Sequence, residues 1–207
     1  MSPQHFDPER VEKDMIAVAA LERDAELMLR VRDGDSSSFA ALLERHRGPV
    51  IHFLYRMVQN QAVAEELAQE VFFRVYKSRT SYEPTAKFTT WLFRIATHLA
   101  LNYLRDERHE RMHESIEEDP SKEGLTRQFS DRVPTIEQKL LREAKLAEVR
   151  AAIEALPAKQ KAAVLMHKYE EMEYSQIASV FECSESAVKS LLFRAYETLR
   201  VRLAHMA

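Results

Sequence analysis

The sequence predicts an all-α protein: two small helical domains joined by a flexible acidic linker. Apolar residues recur at intervals of three and four through most of the chain, the period of an amphipathic helix. Glycine is nearly absent, with only Gly34, Gly48 and Gly124 among 207 residues. Tight hairpins, Gly-rich phosphate loops and dinucleotide fingerprints therefore have almost nothing to be built from. The periodicity fails over residues 110–135, where Glu117, Glu118, Asp119, Pro120, Ser121, Gly124, Ser130 and Pro134 gather.

The elements run in order along the chain. From Asp24 to Tyr55 the apolar residues Leu27, Leu29, Val31, Phe39, Leu42, Leu43, Val50, Phe53 and Leu54 keep helical spacing, broken at Asp33-Gly34-Asp35. That break, followed by three serines, predicts a turn and a helix N-cap. A second helix is expected from about Gln61 to Lys77, with Val63, Leu67, Val71 and Val75 four apart and Phe72 beside that stripe. Pro84 interrupts, because the residue before proline is disfavoured in helical geometry. A third helix, from about Thr89 to Arg108, carries Trp91, Leu92, Ile95, Leu99 and Tyr103, with Trp91 expected in the core. After the linker, periodicity returns from Ile136 to Ile153 and stops at Leu156-Pro157. Three short helices are then expected, over Ala158 to Tyr169, Tyr174 to Phe181 and Glu185 to Ala204. The expected division is a 1–23 extension, a 24–109 domain, a 110–135 linker and a 136–207 domain.

The last two helices form a helix-turn-helix. Ile177, Ala178 and Phe181 give the first an inner face, Glu182-Cys183-Ser184 makes the corner, and Ser184 can cap the second. In that second helix, Val188, Leu191, Leu192, Ala195 and Leu199 share one face at about 100° per residue. Ser186, Lys189, Ser190, Phe193, Arg194 and Glu197 occupy the other. Short donors near a helix N-terminus, cations for phosphate and an unpartnered aromatic are the features that a DNA-recognition helix presents.

Composition excludes several classes. Hydrophobic residues at 45% and charged residues at 30% suit a folded core beneath a solvated surface. The single cysteine, Cys183, rules out an internal disulfide and a multi-cysteine zinc site. No window approaches ~20 uninterrupted apolar residues and no basic start precedes an apolar run, so a cytoplasmic protein without a membrane-inserted segment is expected. The net charge of −3 divides along the chain into −4 over residues 1–35, +3 over 36–111, −4 over 112–137 and +2 over 138–207. Such small positive blocks permit DNA binding without supplying it electrostatically.

Four stretches in register make the sequence resemble the extracytoplasmic-function family of sigma factors from about Asp24 to Leu203. Phe39 to Tyr55 matches the family's first conserved region. Glu65-Glu66-Leu67-Ala68-Gln69-Glu70-Val71-Phe72 matches its acidic-acidic-Leu-x-Gln-Glu-x-Phe helix, Phe88 to Arg105 its Trp-bearing helix, and Ala155 to Arg202 its helix-turn-helix. The resemblance implies a sigma region 2-like bundle and a sigma region 4-like helix-turn-helix domain, with core RNA polymerase, promoter DNA and an anti-sigma factor, often membrane-anchored, as partners. Glu65, Glu66, Gln69, Glu70, Phe72 and Arg74 are implied to meet polymerase. For the minus-ten element the resemblance and the chemistry of holding unstacked bases point to Tyr82, Lys87, His98, Asn102 and Arg105, Tyr82 covering a flipped base. For the minus-thirty-five element they point to Ser186, Lys189, Ser190, Phe193 and Arg194. The family usually carries asparagine where this chain has His98, often arginine where it has Leu191, and often a glycine near the Glu182-Cys183-Ser184 corner. The acidic linker suits a path along a basic tunnel of polymerase; a plain tether is the alternative.

Two rival functions compete. A stand-alone helix-turn-helix regulator explains Tyr174 to Arg202 but not the Glu65 to Phe72 pattern or the Trp91 helix. A helical metalloenzyme would draw on His109 and His113, four apart, with Glu110 and Glu114 nearby. No third ligand is placed beside them, and no Ser/His/Asp grouping stands out, so no metal, cofactor or enzymatic activity is expected.

Overall fold

A computed structural model describes residues 23–114 and 136–206, with side chains omitted from 111 to 142. The expected N-terminal extension, apart from Arg23, and most of the linker lie outside the described residues.

Helix α1 covers residues 23–32 and ends in a turn in which Gly34 takes φ +101°. Asp35 then caps α2 (Ser36–Val58), accepting from the Ser37 and Ser38 amides at 2.9 and 3.3 Å and from both hydroxyls. Those bonds hold its carboxyl down to about 2. The expected N-cap is thus Asp35, with Ser37 and Ser38 as its donors. Gln59 ends α2 in the left-handed region at φ 56°, its amide bonding the Tyr55 carbonyl. Asn60 caps α3 (Gln61–Lys77) by accepting from Val63 at 3.3 Å. A 3-10 turn over Arg79–Ser81 leads to α4 (Phe88–Glu114), which runs past Arg108, so the expected linker begins inside a helix. Nothing at 110 breaks it: the first proline or glycine after Arg108 is Pro120.

The C-terminal helices are α5 (Ile136–Glu154), α6 (Ala158–Tyr169), α7 (Tyr174–Phe181) and α8 (Glu185–Arg202). Pro157 at the start of α6 is tolerated, since the first helical amides have no partner within the helix. Ser184 caps α8, accepting from the Ala187 amide at 3.2 Å. The corner before it needs no glycine because Glu182 itself adopts the left-handed conformation, φ 54° and ψ 47°.

Within the N-terminal helices Phe53, Leu54, Val71, Phe88, Leu92 and Ala96 are buried, with Phe53 and Phe93 edge to face at 5.2 Å. A buried Asp24 ties α1 to α2 through Arg45 and through His46 Nε2 at 2.8 Å. Ala163, Met166, Ile177, Val188 and Leu192 belong to the same continuous core. The two sets of helices therefore pack against each other: α7 lies along α4, and α6 touches α2 and α4.

Candidate nucleic-acid interface

On α8 the two faces separate as the periodicity requires. Val188, Leu192 and Ala195 are buried, while Ser186, Lys189, Ser190, Phe193 and Arg194 are exposed. Phe193, at 67% exposed, is a large aromatic that no described neighbour covers. Ser190 Oγ donates to the Ser186 carbonyl at 3.0 Å and Arg194 Nε to the Ser190 carbonyl at 3.2 Å, so these side chains lie along their own helix. Leu191 is half-buried against the core, which places it between the two faces. Arginine there would have to displace an apolar contact.

On α4 the residues His98, Asn102 and Arg105 succeed one another at four- and three-residue spacing and share one exposed strip. With Leu101 they form one wall of a groove of about 340 Å³, whose other wall is Lys159 of α6 and Phe181 of α7. Burial, then the nearby Arg94 and Lys159 cations, depress the His98 imidazole below its usual range. This favours the neutral ring, which can both donate and accept a hydrogen bond. Arg105 also pairs with Asp106 at 3.1 Å. Lys87 is exposed ahead of α4.

Tyr82 departs from expectation. It is 4% exposed, packed against Trp91 at 5.0 Å and Phe88 at 6.4 Å, and its hydroxyl has no partner. Burial, together with the Asp24 charge, raises its phenol above the ordinary value. In this conformation its ring packs beneath the start of α4 and is not presented at the surface, where a flipped base would meet it. Trp91, expected in the core, is partly buried against it.

On α3, Glu65, Glu66, Gln69 and Arg74 are exposed and Glu70 is half-exposed, its carboxylate accepting from Arg74 Nε at 2.6 Å. Phe72 is the second correction: it is 5% exposed and belongs to the core. Ala64, Ala68, Phe72 and Val75 recur at four, four and three, which puts the ring on the buried side. The exposed aromatic is Phe73, at 59%, near a second surface ring, Tyr76, that meets Phe39 edge to face at 5.1 Å. Sequence reading passed over Phe73, although its place one residue off the buried stripe was visible.

Among the described residues no three His, Cys, Asp or Glu side chains gather as a metal site, and no helix is long and apolar enough to cross a membrane. The His113 and Glu114 side chains lie outside the described residues.

Comparison with known proteins gives this geometry a context. The family description Sigma-70 region 2 matches residues 42–110, and Sigma-70, region 4 matches residues 146–199. The RNA polymerase sigma factor CarQ of Myxococcus xanthus is 34% identical over 86% of this chain and 97% of its own length. The RNA polymerase sigma-H factor of Pseudomonas aeruginosa is 30% identical over 86% and 92%. The ECF RNA polymerase sigma factor SigW of Bacillus subtilis is 28% identical over 84% and 93%. The fold is similar to that of CnrH, solved in complex with the cytosolic domain of CnrY (TM-score 0.65, 17% identity, 89% of this chain and 99% of that one). It is also similar to that of RpoE of Bartonella quintana, solved with the anti-sigma factor NepR (TM-score 0.63, 19% identity, 80% and 96%). A region 2 match on the helices bearing the α3 and α4 faces, a region 4 match ending on α8, and relatives aligned over nearly their whole length leave one assignment. This chain belongs to the sigma-70 family as an extracytoplasmic-function type RNA polymerase sigma factor, a protein that directs promoter-specific transcription initiation.

Proposed function

We propose that the three exposed faces divide the work of initiation. The α3 face, with Glu65, Glu66, Gln69, Glu70 and Arg74, docks on a basic surface of core RNA polymerase, and Phe73 takes the place that sequence reading gave to Phe72. Carboxylates and an amide around an exposed aromatic suit an interface whose centre is apolar and whose rim is charged. The α4 strip of His98, Asn102 and Arg105, with Lys87 ahead of it, holds the open minus-ten strand; Tyr82 positions the helix from beneath. The α8 face of Ser186, Lys189, Ser190, Phe193 and Arg194 reads the minus-thirty-five element in the major groove. The protein performs no chemistry of its own, acts in the cytoplasm, and is held in check by an anti-sigma factor.

The observation that carries this reading is the presence, in one chain, of an exposed acidic face on α3 and a free recognition face on α8. A stand-alone regulator needs only the second. Capture of the chain on immobilised core polymerase tests it. Binding that is lost in Glu66→Lys with Gln69→Ala, while promoter DNA is held only in the presence of polymerase, is the expected outcome. Tight specific duplex binding by the chain alone, with no capture, supports the regulator instead.

A further inference from the structure

The groove beside α4 contains two side chains that none of the three proposed faces uses. One wall is His98, Leu101, Asn102 and Arg105 of α4, and the other is Lys159 of α6 and Phe181 of α7. Its volume of about 340 Å³ lies at the small end of the range for ligand pockets, about 300 to 1,000 Å³. That holds one small molecule and is too little for a run of successive nucleotides.

The charge in the groove has one sign. Among the described residues no carboxylate lines it, while Arg105 and Lys159 face it from opposite walls. Arg105 meets Asp106 through Nε at 3.1 Å, and Lys159 has no carboxylate partner among the described residues. Arg94 stands nearby, but its charge is answered by Glu182 at the helix-turn-helix corner. The His98 imidazole registers the field: burial first, then the Arg94 and Lys159 cations, lower its affinity for a proton. A neutral ring between cations is a setting for an anion, and a guanidinium fork with a lysine point charge is a pair suited to phosphate.

The rest of the lining suits a flat organic group. Leu101 and Phe181 are apolar, and Phe181 is only half-buried against the core, so part of its ring is left for a second ring to stack on. Asn102, exposed between His98 and Arg105, carries an amide whose donor and acceptor match the paired acceptor and donor on an adenine edge. Neutral His98 adds one more donor and acceptor. Inorganic phosphate has no use for the ring and the amide, and an apolar ligand has none for the cations. A molecule with a hydrogen-bonding ring at one end and a phosphate at the other uses them all.

We propose that this groove is a binding site for a free nucleoside 5′-phosphate, its base against Phe181 and Asn102 and its phosphate between Arg105 and Lys159. The site goes beyond the function proposed above and stands on the groove alone. Combined with that function it has a consequence: an occupant covers His98, Asn102 and Arg105, so nucleotide and open minus-ten strand exclude each other.

Binding is tested on the full chain without polymerase, with adenosine 5′-monophosphate as the probe and titration calorimetry as the readout. Saturable binding with a Kd below about 1 mM is expected. Ribose 5-phosphate keeps the anion and lacks the base, and should bind about tenfold more weakly or worse, the loss of one stacked base. Lys159→Ala and Arg105→Ala should each weaken binding of the probe about tenfold, as the loss of one charge-assisted contact does. Both side chains are exposed, so the variants should melt as the parent does. Phe181→Leu, which keeps an apolar residue on the core, should weaken the probe and leave ribose 5-phosphate unchanged. The His98 ring resonance, identified by its loss in His98→Gln, should move as the probe saturates. Absence of saturable binding overturns the site, and equal affinity for the two compounds overturns the nucleotide assignment. Binding that leaves the His98 resonance unmoved, or that persists undiminished in folded Lys159→Ala and Arg105→Ala chains, lies elsewhere and overturns the proposal as well. Failure of the chain to be captured by core polymerase would overturn the proposed function instead, and leaves these measurements untouched.

Discussion

Phe72 and Phe73 are neighbours in the chain with opposite surroundings, the first 5% exposed in the core and the second 59% exposed on the α3 surface. Truncation should separate their roles. Phe72→Ala removes a buried ring and is expected to cost about 3 to 5 kcal/mol of stability. Phe73→Ala should leave the thermal midpoint nearly unchanged and weaken capture by core polymerase, by about 2 kcal/mol if the ring is a central anchor. Parallel melting and pull-down of the two variants checks this. A folded Phe73→Ala chain that is captured as well as the parent removes this ring from the interface.

The buried Tyr82 hydroxyl, which has no partner, carries a desolvation penalty. Tyr82→Phe should therefore stabilise the free chain by about 1 kcal/mol, read from denaturant midpoints. Since the ring contacts with Trp91 and Phe88 survive the change, α4 should keep its position, and loss of stability would show that the hydroxyl is satisfied after all.

Burial pushes the Glu170 carboxyl up to about 7, against the ordinary 4.5, with Arg56 opposing the shift. Between those two values the folded chain keeps a proton that the unfolded chain has released, so stability declines as pH rises from about 4.5 to 7. Above 7 the full cost is present. Glu170→Gln should be more stable than the parent at pH 8 and match it below pH 4.5, in melts run across that range. A difference that grows as pH falls would reverse the sign and refute the burial.

On α8, Lys189→Ala and Arg194→Ala should each weaken minus-thirty-five binding without unfolding the chain, by roughly 1 to 3 kcal/mol if the side chain reads a base edge. A phosphate contact should cost less and reduce the salt slope by about one. Leu191→Arg should instead lose stability before it gains any contact, since Leu191 packs on the core. A folded Leu191→Arg chain that binds more tightly would move that position onto the DNA face.

Secondary structure was legible because local signals agreed: Val63, Leu67, Val71 and Val75, four apart, mark α3, and Ser184 before Val188 marks α8. Exposure was legible where a face is decided by its own helix, as at Lys189, Ser190, Phe193 and Arg194. It was not legible where tertiary packing decides. Lys161 has the sequence context of a solvated cation, and its burial depends on the end of α2, 104 residues earlier. Tyr82 stands in a polar loop that sequence gives to solvent, yet Phe88 and Trp91 enclose it. The missing glycine at the corner was visible; the partner of Glu182 on α4 was not.

On the function proposed above, promoter recognition belongs to this chain only in the company of polymerase. The most direct measurement is promoter binding by the purified chain at physiological salt, with and without purified core RNA polymerase. The expected result is weak, salt-sensitive, non-specific binding alone, consistent with net charges of only +3 over 36–111 and +2 over 138–207, and specific binding with strand opening once polymerase is added. Specific, tight duplex binding by the chain alone, unaffected by polymerase, would contradict it.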